Sequence, residues 1–178
     1  CLLRCDPPWE GFRVFRLGIL HPGTGVGIDG GFMDMAKRIL APIDAREHSE
    51  RVVPVVAAMA REMGSRVRLL RVFPVPEHVV DQYGRTVAYV DQEMERLTAR
   101  GLDDLQPAEA LLGGVPVETV VRFGDPADEI LLEAEAFDAD LIALTSAPKR
   151  GRLEHLFAPN VAERVAATAP VPTLVLHG

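Results

Sequence analysis

The chain has 178 residues, of which 48% are hydrophobic and 25% charged, with a formal net charge of −7 and a pI near 5.2. That length allows one compact domain with a sizeable core and is too short for two ordinary ones. No uninterrupted apolar run approaches the roughly 20 residues that span a bilayer, and an acidic surface repels polyanions, so membrane insertion and nucleic-acid binding are not expected.

The two cysteines, Cys1 and Cys5, both lie at the extreme N-terminus, so no disulfide framework or metal-ligand spacing can staple the body of the chain. A reducing cytoplasm is the expected setting. Residues 1–34 are crowded with Gly and Pro, hold the only Trp and lack helical periodicity, and are read as a leader or extension outside the domain. Within them "GVGIDG" (25–30) matches a dinucleotide-binding pattern in letters alone, because a strand-like run follows it where a helix is required. The domain is expected over 35–178.

From Lys37 the pattern becomes regular. "KRILAPID" (37–44) reads as a buried strand, and "SERVVPVVAAMAREMG" (49–64) as an amphipathic helix stopped by Gly64. Pro54 lies deeper than the first turn of that helix, which predicts a late start or a kink. "RVRLLRVF" (66–73) is a second strand. A helical stretch from about Thr86 to Leu112 follows, with a break expected near Gly101 or Pro107. "VPVETVVRFG" (115–124) is a third strand, and "DPADEILLEAEAFD" (125–138) a helix with Asp125 as N-cap and Pro126 at its first position. "LIALTS" (141–146), "VAERVAATA" and "VPTLVLH" (171–177) complete the set as strand, helix and strand. Strands alternating with amphipathic helices imply crossover connections and a doubly wound α/β domain with a mainly parallel sheet. Ligands in such sheets bind beyond the carboxyl ends of the strands, here Asp44, Val72 to Phe73, Gly124 and Thr145 to Ser146.

The runs "KRILAPID", "SERVVPVVAAMAREMGSRVRLLRV", "VVRFGDPADEILLEAEAFDADLIALTS" and "LFAPNVAERVAATAPVPTLVLH" together resemble the universal stress protein domain over roughly residues 35–177. The resemblance implies a five-stranded parallel sheet of order 3-2-1-4-5 and a homodimer formed through the terminal strand. It also implies a stress-response regulatory or protective module that works through contacts with other proteins, so far unidentified.

The nucleotide-binding branch of the family carries Gly, two residues, Gly, nine residues, then Gly followed by Ser or Thr. This chain keeps the frame as Ser146, Lys149, Pro159 and Asn160, without one of those glycines. A Cβ at these positions obstructs the close approach of main chain to phosphate, and Pro159 also removes an N–H donor. Asn160 and Glu163 have the spacing of a capping box, so a helix is expected to start there with its positive dipole end toward the loop. Lys149, Arg150, Arg152 and His155 are then either a solvated basic loop or a side-chain substitute for the glycine cradle. The resemblance further implies that Asp44 contacts the ribose or adenine side of a nucleotide and that Val72 lines the adenine pocket through its backbone. ATP binding is therefore expected to be weak or absent, with no cofactor required. The alternative is ATP held by the basic loop, with slow hydrolysis.

No His pair has metal-ligand spacing, and neither a Walker loop nor a nucleophile elbow is present, so no enzyme is expected. Glu129, Glu133, Glu135 and Asp138 are read as a solvated helix face. A cluster of His78, Asp81, Tyr83 and Tyr89 is the remaining place for catalytic groups, without a spacing that assigns them a role.

Overall fold

The computed structural model describes residues 36–44, 51–76, 79–80, 86–88, 90–146 and 161–177. In chain order the elements are β1 (Arg38–Pro42), α1 (Val52–Met63), β2 (Arg66–Phe73), β3 (Val79–Val80), β4 (Thr86–Ala88), α2 (Val90–Leu111), β5 (Val117–Phe123), α3 (Pro126–Phe137), β6 (Leu141–Ser146), α4 (Val161–Thr168) and β7 (Thr173–His177). Five of the strands form one parallel sheet in the order β5-β2-β1-β6-β7, which is 3-2-1-4-5 when only its own strands are numbered. β3 and β4 pair separately as an antiparallel ribbon.

Strand side chains alternate between the two faces, and each face finds its own helices. Ile39, Ala41, Val67, Leu69 and Ala143 pack with Val53 and Val56 of α1 and Leu105 and Ala108 of α2. The neighbouring Leu40, Leu70 and Ile142 pack instead with Ala127, Ile130 and Ala134 of α3 and Ala162 and Val165 of α4. Both faces of the central strands are thus covered, which is why they read as nearly continuous apolar runs.

α1 starts at Val52, so Pro54 falls within the first turn, where its missing N–H leaves no bond unmade. The late start is the outcome, and the helix closes at Gly64 in the left-handed conformation (φ 65°), whose N–H donates to the Ala60 carbonyl. The outer strands begin after Pro116 and Pro172, slightly later than their apolar runs, since neither proline can donate to a ladder.

α2 differs from expectation at both its start and its middle. Residues 86–88 form β4 rather than the first turn of the helix, in keeping with the β-branched Thr86 and Val87. From Val90 the helix runs unbroken through Gly101 and Pro107. Pro107 and Asp103 are both exposed, so water can solvate the carbonyl that the proline leaves without its helical partner. Gly101 is buried for a packing reason: a Cβ there would lie 2.8 Å from both Phe73 Cε2 and Val121 Cγ2. The glycine lets α2 settle onto β2 and β5, where a helix break would lift it away.

Gly101→Ala should therefore destabilise the fold by about 1 kcal/mol net, as overpacking outweighs the better helix propensity of Ala. Gly113→Ala, whose Cβ would meet its nearest neighbour at 3.6 Å, should be close to neutral. Urea midpoints of the two variants check this, and equal midpoints would contradict it.

Candidate functional site at the carboxyl edge of the sheet

β1 lies between β2 and β6, and the chain winds outward from it in both directions, so the winding reverses at β1 and β6. A crevice at the carboxyl ends of these strands is where a parallel sheet of this kind takes ligands. The register Pro42↔Leu70 continues by two residues to bring Asp44 level with Val72, while Ser146 ends β6 on the other side of β1. The Leu70 carbonyl accepts from the Ile43 N–H, so alternation along β2 turns the Val72 backbone groups to the same side, toward Asp44. Three of the sequence-predicted residues thus lie at the carboxyl ends of adjacent strands.

Each of the three has a specific setting. The Asp44 carboxylate is half exposed, and Arg71 Nη1 donates to its Oδ1 at 2.7 Å. Arg71 is mostly buried, places its guanidinium 4.7 Å from the centre of the Phe73 ring, and brings Nε within 3.5 Å of Asp104 Oδ2. The Val72 side chain packs against the cluster under α3 and α4, so only its backbone faces the crevice. Ser146 is buried at 5% exposure.

Gly124 stands one strand further out and two residues along. Its N–H donates to the Phe73 carbonyl at 2.9 Å. With φ at 156°, it takes a conformation that a Cβ penalises, and the added atom would also meet the Glu129 side chain. Its role is to turn the chain from β5 into α3. Lys149, Arg150, Arg152 and Asn160 lie outside the described residues, as do His155, Pro159 and the group His78, Asp81, Tyr83 and Tyr89. α4 starts at Val161, where the capping spacing places its first turn.

The Universal stress protein family model matches residues 35–177. This chain belongs to the universal stress protein family. A relative from Thermus aquaticus, described as a universal stress protein in the QAH/OAS sulfhydrylase 3' region, is 28% identical over 144 residues, 80% of this chain and 100% of that protein. A crystal structure of a universal stress protein in complex with cAMP superposes with a TM-score of 0.60 at 16% identity, covering 80% of this chain and 98% of that one. The structure of the Archaeoglobus fulgidus universal stress protein in complex with dAMP superposes with a TM-score of 0.54 at 20% identity, covering 80% and 98%. At such identities the two structures establish the shared fold.

This universal stress protein domain also contains a buried charged cluster away from the crevice. Glu133, read above as part of a solvated face, is instead 2% exposed. It projects from α3 onto the sheet, where Arg68 Nη1 reaches its Oε1 at 2.6 Å and Arg122 Nε donates to its Oε2. Arg68 also pairs with Glu118 and lies 4.1 Å from the centre of the Phe137 ring. Burial works against the Arg68 charge, yet the hydrogen bonds to Glu118 and Glu133 leave its pKa raised. Helical periodicity alone marks Glu133 as a core position, since it follows Ile130 by three residues and precedes Phe137 by four. A carboxylate there is tolerable because two strand arginines meet it.

A second ionic contact ties the first turns of two helices. Asp125 caps α3 by accepting from Ala127 N at 3.0 Å and Asp128 N at 3.2 Å. Arg164 of α4 approaches Asp125 at 3.0 Å and Asp128 at 3.2 Å. At the opposite end of the sheet a cleft of about 500 Å³ opens between the last turns of α3 and α4, lined by Leu131, Leu132, Pro170 and Val171 among others. No group of three or more His, Cys, Asp or Glu among the described residues could hold a metal ion, and no helix there is long and apolar enough to cross a membrane.

Glu133→Gln should cost about 1–3 kcal/mol, because Arg68 and Arg122 each lose one charged acceptor while keeping Glu118 and Glu129 nearby, and its urea midpoint should fall accordingly. The Asp125 carboxyl sits below its ordinary value of 3.8, chiefly through the hydrogen bond from Arg164. A carboxyl depressed by folding adds stability that is fully present above its unfolded value and disappears as pH falls through the folded one. Asp125→Asn keeps a capping side chain and removes the charge. The stability gap between the parent and this variant should be constant above about pH 5 and close on acidification toward pH 2, as thermal melts across that range would show.

Proposed function

We propose that this universal stress protein domain is a stress-response regulatory or protective module whose output is contact with other proteins, with ATP bound weakly or not at all. The observation that carries this reading is the pairing of Asp44 with Arg71 at the centre of the crevice. A ribose hydroxyl arriving at Asp44 must share the carboxylate with a guanidinium already 2.7 Å away, which weakens it as an acceptor. The sequence adds a second obstacle, since Lys149 and Pro159 stand at positions where phosphate binding by backbone requires glycine.

The proposal includes no catalytic step and requires no cofactor. It includes a homodimer through β7, which is the last strand of the sheet and offers its outer edge for pairing with a second copy. A cytoplasmic location belongs to the same reading.

The second reading is an adenine-nucleotide protein in which Lys149, Arg150 and Arg152, with Asn160 at the start of α4, replace the glycine cradle by side-chain contacts. It is favoured by the structural relatives bound to cAMP and dAMP, and by the placement of Asp44, Val72 and Ser146 at the carboxyl ends of adjacent strands in this chain.

Denaturing the purified protein and analysing the supernatant separates the two readings. The first expects no stoichiometric adenine nucleotide and little heat on titration with magnesium ATP; about one nucleotide per chain would establish the second. Lys149→Gly combined with Pro159→Gly should raise ATP affinity at least tenfold, about 1.4 kcal/mol, and an unchanged titration would remove the obstruction as the cause.

A further inference from the structure

We propose that β5, the edge of the sheet opposite β7, is a second self-association surface on which two copies pair antiparallel about a twofold axis at Val120. Among the described residues β5 is an edge strand bonded on one side only, to β2, and every residue from Val117 to Phe123 is partly exposed. A seven-residue edge is long enough to template a partner strand, and it contains no proline to block pairing.

The strand sequence selects both the partner and the register. Read about Val120, "VETVVRF" places Val117 opposite Phe123, Glu118 opposite Arg122, and Thr119 opposite Val121 of a second copy. Glu118 and Arg122 are thus matched twice, once on each side of the axis. Shifting the pairing by two residues in either direction loses both matches. Each group already has partners within its own chain, yet Glu118 and Arg122 keep side-chain exposures of 41% and 32% at the strand surface.

Backbone geometry gives the same register. The N–H of Gly124 and the carbonyl of Pro116 bond to β2, so alternation turns the groups of Val117, Thr119, Val121 and Phe123 outward. In the Val120 register these outward residues oppose one another as hydrogen-bonded pairs. Glu118–Arg122 and Val120–Val120 then form the non-bonded pairs, whose side chains approach most closely.

The helix above the edge provides an independent observation. α2 packs over both β2 and β5. At about 100° per residue, Leu102 and Asp104 stand roughly 160° apart around it. Asp104 reaches inward to Arg71 of β2, so Leu102 is turned to the opposite side of the helix, the side of β5, and it is 39% exposed. Strands about 4.8 Å apart would bring the two copies of α2 to a separation near 10 Å, the spacing at which helices pack, with Leu102 at their contact.

The test uses the full chain with Cys1→Ser, Cys5→Ser and Val120→Cys. Cysteines facing one another in a non-bonded antiparallel pair lie within disulfide reach, so mild oxidation should convert most of the protein to a reducible covalent dimer. Val117→Cys in the same background faces Phe123 and should remain uncrosslinked. In the otherwise unaltered chain, Thr119→Pro removes an outward N–H without touching the β2 ladder. It should lower the sedimentation-velocity mass at least twofold at micromolar concentration while the circular dichroism spectrum is retained. Absence of the Val120→Cys dimer, equal crosslinking at position 117, or a Thr119→Pro mass equal to the parent's would each overturn the proposal. Because the crosslink reports β5 alone, its result is independent of whether β7 also pairs.

Discussion

The arrangement of the crevice depends on β1 being held on both sides at once. Its ladder to β2 and its shorter ladder to β6 place Asp44, Val72 and Ser146 at the carboxyl ends of three adjacent strands. Neither neighbour can slip without turning its apolar residues to the wrong face, because Leu40, Leu70 and Ile142 belong to one layer while Ile39, Leu69 and Ala143 belong to the other. The register that builds the core therefore also builds the site.

Paired charge occurs on both faces of the sheet. Arg71 joins Asp44, Phe73 and Asp104 across the crevice end of β2, and on the other face Arg68 and Arg122 converge on Glu133. These arginines serve packing as much as charge, since Arg68 and Arg71 hold their guanidinium carbons 4.1 and 4.7 Å from the centres of aromatic rings. The two groups lie on opposite sides of the sheet and have different consequences. The Glu133 cluster docks α3 onto the sheet, whereas the Arg71 group touches the Asp44 carboxylate at the end of β1. The chain's acidic excess is thus spread over a framework in which the buried acid is matched.

Much of the fold was legible because apolar periodicity and turn chemistry agreed. The runs 66–73 and 141–146 coincide with β2 and β6 residue for residue, and the Asp125-Pro126 start of α3 follows from capping chemistry. Where local signals misled, tertiary contact decided. Gly101 looks like a helix breaker until Phe73 and Val121 are placed beneath it. Glu133 looks like a surface acid until two arginines, 65 and 11 residues away in sequence, arrive beside it. The Asp44–Arg71 pair was equally hidden, because pairing at a distance of 27 residues has no local signature. Of the site itself, the positions at strand ends were readable from the parallel winding, while their electrostatic partners were not.

The proposed weakness of ATP binding rests on Arg71 sharing the Asp44 carboxylate and on the lack of glycine at positions 149 and 159 of the sequence. A crystal structure of the protein grown with saturating magnesium ATP tests it most directly. The account predicts Arg71 still bonded to Asp44 and no ordered triphosphate beside the start of α4. Density showing a ribose on Asp44, with β- and γ-phosphates held by peptide nitrogens around positions 149 and 160, would contradict it.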